Sequence, residues 1–156
     1  MRIHLVFVGK TGFRDLESAI GRYVERLGHY CPVRVHYVKA EKITPGMNED
    51  TVRLREGERI AKLVNRQGRL VVLDQGGSDL DSPGLARFMR KHLESGVSEM
   101  WIAVGGPVGV SRELLKSADS VISLSKMTFA HDLARLVLVE QLYRAFTILR
   151  GEPYHK

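Results

Sequence analysis

Met100-Trp-Ile-Ala-Val-Gly-Gly-Pro-Val-Gly109 begins as a buried strand over Met100 to Val104 and breaks into a glycine-rich turn. Val121-Ile-Ser-Leu-Ser-Lys-Met-Thr-Phe129 repeats the plan, with a strand over Val121 to Leu124 running into a polar turn. A long apolar helix follows, starting at His131 or Asp132 and continuing to about Leu149. Between these, Ser111 caps a short helix ending near Ala118. Upstream the same alternation holds. Ile3 to Val8, Val33 to Val38 and Leu70 to Leu73 read as strands, and Asp15 to Leu27 and Thr51 to Asn65 as helices. Ser82-Pro83 supplies an N-cap and a first-turn proline for a helix to about Leu93. Strands alternating with helices imply an α/β fold: a mostly parallel sheet with helices on both faces.

The chain of 156 residues is expected to form one domain, 1–156, with a core of its own and a functional tail at 150–156. Its single cysteine, Cys31, excludes an intrachain disulfide and suits a reducing cytoplasm. No stretch approaches the roughly 18 apolar residues of a membrane span, so no membrane partner is expected. The scattered histidines and His29-Tyr-Cys31 do not make a tetrahedral metal site, and no metal is expected. Lys and Arg outnumber Asp and Glu by 24 to 18, a net charge of +6 that favours a polyanion such as nucleic acid. Two basic runs offer phosphate contacts: Arg14, Arg22 and Arg26, and the group Arg53, Arg55, Arg59, Lys62 and Arg66, interleaved with Glu56 and Glu58. The second run reads equally well as a solvated helix face.

In open parallel sheets, ligands lie at the carboxyl ends of strands. Three such ends stand out: Leu73-Asp-Gln-Gly-Gly77, Gly105-Gly-Pro-Val-Gly109 and Ser125-Lys-Met-Thr-Phe129. None is a phosphate-binding loop of the Gly-Lys-Ser/Thr kind, and no Gly-x-Gly-x-x-Gly joins the first strand to its helix. Asp74, ahead of two glycines, reads as a catalytic carboxylate or as a turn cap. The last helix carries Leu133, Leu136, Val137 and Leu138 among apolar residues that surround it, so a subunit interface is expected over its outer side.

Taken together, Val104-Gly-Gly-Pro-Val-Gly109, Ser123-Leu-Ser-Lys-Met-Thr-Phe-Ala-His131, Arg135, Glu140-Gln-Leu-Tyr-Arg-Ala145 and Gly151-Glu-Pro-Tyr-His-Lys156 resemble the ribosomal large-subunit pseudouridine methyltransferases of the RlmH type, a branch of the SPOUT superfamily. The resemblance spans nearly the whole chain. It implies a SPOUT-type α/β fold with a C-terminal trefoil knot, an exception to the unknotted rule. It also implies S-adenosyl-L-methionine as cofactor, a homodimer, and N(3) methylation of a pseudouridine in 23S ribosomal RNA within assembled ribosomes. By position the cofactor would lie against Leu73, Gly105, Gly106, Leu124, Ser125, Lys126, Met127, Thr128 and Phe129. Tyr154, His155, Arg144 and Glu140 are the expected catalytic group. His155 would assist removal of the N(3) proton, Tyr154 would stack on or hydrogen-bond the base, and Glu140 would hold Arg144 one turn away. Glu140 and Arg144 also read as a helix-stabilising pair, and His131 as a helix start. The alternative function is a non-catalytic RNA- or ribosome-binding dimer.

Overall fold

The computed structural model describes residues 1–65 and 67–155; Arg66 of the second basic run and Lys156 of the terminal segment lie outside them. The strands are β1 (Arg2–Val8), β2 (Val33–Val38), β3 (Arg69–Asp79), β4 (Glu99–Val104) and β5 (Ser120–Ser123). The helices are α1 (Arg14–Gly28), α2 (Glu49–Leu63), α3 (Ser82–Glu94), α4 (Arg112–Ser117) and α5 (His131–Arg150). Among the described residues the strands form one parallel sheet in the order β2-β1-β4-β3-β5.

The pleat sorts the side chains onto two faces. Ile3, Leu5 and Phe7 of β1 join Val71, Met100, Ile102 and Val104 in a core covered by α1, α3 and α5. Val6, Val8, Leu70, Val72, Trp101 and Ala103 point the other way, toward Ile60 of α2 and Leu114 of α4. The mostly parallel sheet with helices on both faces is therefore present as expected. On the second face, buried His4 stacks on Trp101 at 3.9 Å and shares a hydrogen bond of 2.9 Å with His36. Burial holds the pKa of both imidazoles below the ordinary value.

Several local expectations change. β3 does not stop at Leu73. It pairs with β4 up to Leu73, then bulges, and rejoins β5 at Ser78 and Asp79. The glycines that read as a turn lie inside this irregular strand. Asp74 does cap a turn there, its Oδ1 accepting the Gly76 N–H at 2.8 Å. The cap of α3 is Asp81 rather than Ser82, with Oδ1 accepting from Gly84 N–H at 2.6 Å. α2 begins earlier, at Glu49, because Asn48 accepts the Asp50 N–H. Its polar face is not wholly outward either: Glu56 is 3% exposed, whereas the apolar Leu63 is 39% exposed.

α5 lies between α1 and α3 on the first face. Leu138, Val139, Leu142, Ala145 and Phe146 are buried there, and Leu133 stays 40% exposed on the outer side with Leu136 and Val137 half-buried. No helix among the described residues is long and apolar enough to cross a membrane.

Gly77 is required by contact. A Cβ there would meet the Ile122 backbone at 2.6 to 2.8 Å, and a backbone cannot step aside as a side chain can. Gly77→Ala is expected to lower stability by about 2 kcal/mol or more, in the range of overpacking. Urea denaturation measures it, and an unchanged midpoint would show that β3 and β5 tolerate separation.

Candidate functional site

The carboxyl ends of β3, β4 and β5 enclose one cavity of ≈ 810 Å³. That volume is in the range of small-molecule and cofactor pockets. The loop after β4 is held closed by a turn in which Gly109 N–H donates to Gly106 O at 3.0 Å. A Cβ on Gly105 would come within 2.9 Å of the Gly109 backbone, so this turn needs glycine to close. The loop after β5 is wound by its own serines: Ser123 Oγ donates to Ser125 O at 3.0 Å, and Ser125 Oγ accepts from Met127 N–H at 3.0 Å. Gln75 Nε2 donates to Thr128 Oγ1 at 2.5 Å and ties this loop to the β3 bulge.

Of the residues expected around a cofactor, Leu73, Gly105, Gly106, Leu124, Ser125, Met127, Thr128 and Phe129 line the cavity. Lys126 does not. Its side chain is 87% exposed and turned to Asp79, 3.7 Å away. Two further lining residues, Arg53 and His131, were not expected at the cofactor. Arg53 of α2 donates Nε–H to Val108 O at 2.6 Å while Glu49 and Asp50 hold its other nitrogens. His131, read only as a helix start, forms part of the wall beside Asp132 at 3.2 Å.

A buried ion pair fixes the wall. Arg135 is 0% exposed and lies 3.0 Å from Asp132. Its guanidinium donates to Val8 O and to Thr11 Oγ1, and its plane faces Phe7. Asp132 Oδ2 in turn accepts the Gly12 N–H at 2.8 Å. The start of α5 is thus bolted to the loop after β1. The segment from Leu124 to Ala130 must therefore cross the ends of β3 and β4, from the β5 edge toward β1, where it walls the cavity.

The tail forms a second cluster. Gly151, with φ +68, ends α5; its N–H donates to Ile148 O and the Glu152 N–H reaches Thr147 O, the closure that turns a chain back on its helix. Tyr154 then donates to Glu140 Oε1 at 3.0 Å and lies 3.3 Å from the Tyr23 hydroxyl. Glu140 binds Arg144 at 2.6 Å, and the Arg144 guanidinium sits 4.7 Å over the Tyr154 ring. His155 is exposed. The structure brings Glu140, Arg144 and Tyr154 together but not against the cavity of the same chain. At about 1.5 Å per residue, Arg144 is roughly 15 Å along α5 from Ala134, the last helical residue at the cavity.

The family model described as "Predicted SPOUT methyltransferase" matches residues 1–155. The chain belongs to the SPOUT methyltransferase family. A protein of Syntrophobacter fumaroxidans named ribosomal RNA large subunit methyltransferase H is 56% identical over 100% of both chains. One of the same name from Christiangramia forsetii is 42% identical over 99% of both. Among solved structures, an A. aeolicus TrmH/SpoU tRNA modifying enzyme superposes with a TM-score of 0.50 at 18% identity, covering 95% of this chain and 77% of that one. At that identity the structural likeness speaks for the SPOUT fold alone.

Among the basic groups of this SPOUT chain, Arg53, Arg55 and Arg59 are spent on Glu49, Asp50 and Glu41. Arg26 lies over the Tyr23 and Tyr143 rings. Cys31 is buried, and its thiol is pushed up to about 11 by burial, which makes it a packing residue.

Burial, then the Tyr23 and Glu140 bonds, keeps the Tyr154 phenol protonated above the ordinary tyrosine range; burial and Glu152 do the same for Tyr30. A phenol whose folded pKa exceeds the unfolded value of about 10 stabilises below that pH and loses its contribution as pH rises through it. Absorbance titration is expected to show two late-ionising phenols and falling stability above about pH 10. Tyr154→Phe should remove one of them; a variant that keeps both would place Tyr154 in solvent.

Proposed function

We propose that this protein is an S-adenosylmethionine-dependent ribosomal RNA methyltransferase that modifies N(3) of a pseudouridine in 23S ribosomal RNA, acting in the cytoplasm on assembled ribosomes. Family membership makes it a methyltransferase, and the names of its relatives supply the ribosomal RNA substrate. The observation that carries the reading is the cavity, which is enclosed by backbone turns and by apolar Leu73, Leu124, Met127 and Phe129. Such a lining suits a nucleoside donor: turn amides and carbonyls meet the adenine edge, and apolar side chains cover its faces. S-adenosylmethionine supplies a methyl group on a positively charged sulfur, which leaves as a neutral thioether.

The residues of the chain position and deprotonate. Displacement is in line, so the nucleophilic nitrogen must be held within about 3–3.5 Å of the methyl carbon. N(3) must also release its proton, and His155 is placed on the tail to assist. Arg144, fixed by Glu140 at 2.6 Å, is set to orient a base carbonyl or a phosphate, and the Tyr154 ring offers a stacking face beside it.

Because cavity and tail cluster stand apart in one chain, we infer a homodimer in which the tail of one protomer completes the cavity of the other. The exposed Leu133 and half-buried Leu136 and Val137 on α5 favour such a partner. The passage of Leu124 to Ala130 across the strand ends agrees with a trefoil-knotted chain. A single domain of this size, without an appended RNA-binding module, needs a folded RNA surface for selectivity, hence the ribosome as substrate.

Calorimetric titration is expected to show S-adenosylmethionine binding, and a non-catalytic ribosome-binding dimer would show none. Tyr154→Phe and His155→Ala are each expected to reduce methyl transfer to ribosomes by about a hundredfold, the scale of general acid–base and positioning effects, with donor affinity retained. Mixing tail-deleted subunits with Gly105→Val subunits should restore part of the activity. No recovery in verified mixed dimers would count against the shared site.

A further inference from the structure

Glu56 is the one buried carboxylate among the described residues whose position the fold does not explain by pairing with a cation. It is 3% exposed on α2, directly beneath the turn after β4. Its Oε1 accepts the Glu41 N–H at 2.8 Å, and its Oε2 has no hydrogen-bond partner. A Cβ on Gly106 would stand 2.9 Å from Oε2. Gly106 itself lines the cavity, so bare glycine backbone is what lies between this oxygen and the cavity. A buried polar atom left without a partner is costly, and one held at a functional wall calls for a reason.

The surrounding charges leave it nearly alone. Arg59 of its own helix is engaged by Glu41 Oε2 and Lys39 O. Glu41, on the segment after β2, is itself shared between Arg55 and Arg59. His131, at the start of α5, acts on it only weakly and through charge. The turn from Gly105 to Val110 carries no charged residue, and from the α4 side the neighbour is the Ser111 hydroxyl packed against Gly57. Burial raises the Glu56 pKa and Glu41 adds to the rise, whereas Arg59 and His131 oppose it.

We propose that Glu56 is the residue that makes the cavity prefer a cationic sulfonium donor to its neutral thioether product, losing its proton to solvent as the cation enters. This rests on the reading of the cavity as the donor site. The two ligands differ by one methyl group and one positive charge. A methyl contact alone discriminates weakly, whereas a buried anion behind a thin wall acts on the charge through a medium of low dielectric. The sign follows. A cation behind the wall favours the ionised form of the Glu56 carboxyl, whose pKa burial raises, so donor binding displaces the proton it carries and tightens as pH rises. The product, without the sulfonium charge, releases none. The preference also favours exchange of product for fresh donor after each transfer.

The test is calorimetry on the full-length protein with S-adenosylmethionine and, separately, S-adenosylhomocysteine, in two buffers of different ionisation enthalpy near neutral pH. The wild-type protein is expected to release a fraction of a proton with the first compound and none with the second. Glu56→Gln removes the charge at constant shape. It is expected to abolish that release and weaken the donor about tenfold, the scale of one screened charge pair, while the product changes by less than about threefold. Equal loss of both ligands, or no loss of either, would overturn the inference and leave the donor site standing. Absence of binding by either compound to the wild type would overturn both. Should the variant not fold, the wild-type ratio of the two affinities decides: a rise with pH supports the proposal, and a flat ratio refutes it.

Discussion

The buried contact between Arg135 and Asp132 is the constraint on which the site depends. Arg135 has no exposed surface, and it reaches Val8 and Thr11 on β1 and its following loop. Asp132 reaches Gly12 in the same loop. Taking two charges out of water is expensive, and such a pair is often no better for stability than a well-packed apolar one. What it contributes here is direction. Its hydrogen bonds to Val8, Thr11 and Gly12 form only when the first turn of α5 meets the end of β1. β5 lies at the opposite edge of the sheet, so the chain between them is forced across the ends of β3 and β4. The cavity wall is a consequence of where that helix is pinned.

The site that results is built mainly from main chain. Three successive turns present glycines, serines and apolar side chains, and the polar groups in them are largely occupied with holding one another. Preorganised turns of this kind lose little entropy when a ligand arrives. A cluster of ionisable side chains sits elsewhere, on the far part of α5 and the tail, where Glu140, Arg144 and Tyr154 are locked together with Tyr23 of α1. The cavity and the tail cluster are therefore separated along a single helix.

Electrostatics follow the same division. The chain is basic, but the arginines of α2 are consumed by Glu41, Glu49 and Asp50 and leave little free charge on that face. Glu56 interrupts the same run from within the fold. Its burial turns what looks like an ordinary solvated charge pattern into a carboxyl group lying against the cavity wall.

The order of strands and helices, the strand ends that line the cavity and the grouping of Glu140 with Arg144 were legible in the sequence, because each depends on spacing within a few residues: period two for strands, four for a helical pair, glycine where a turn closes. The course of β3 beyond Leu73 was not, because Asp74-Gln-Gly-Gly77 has local turn chemistry and becomes strand-like only when β5 arrives beside it. Lys126, Arg53 and Glu56 were misjudged or unseen for a related reason. Which way a side chain on a polar turn or a charged helix points is set by neighbours distant in sequence: Asp79 for Lys126, Val108 for Arg53, Gly106 for Glu56. Sequence alone determined the α/β alternation and the family pattern, since local periodicity and motif order encode both. Only the tertiary structure decided that the three turns share one cavity and that the tail cluster stands apart from it, because those facts depend on long-range packing of α5 against β1, which no short window of residues contains.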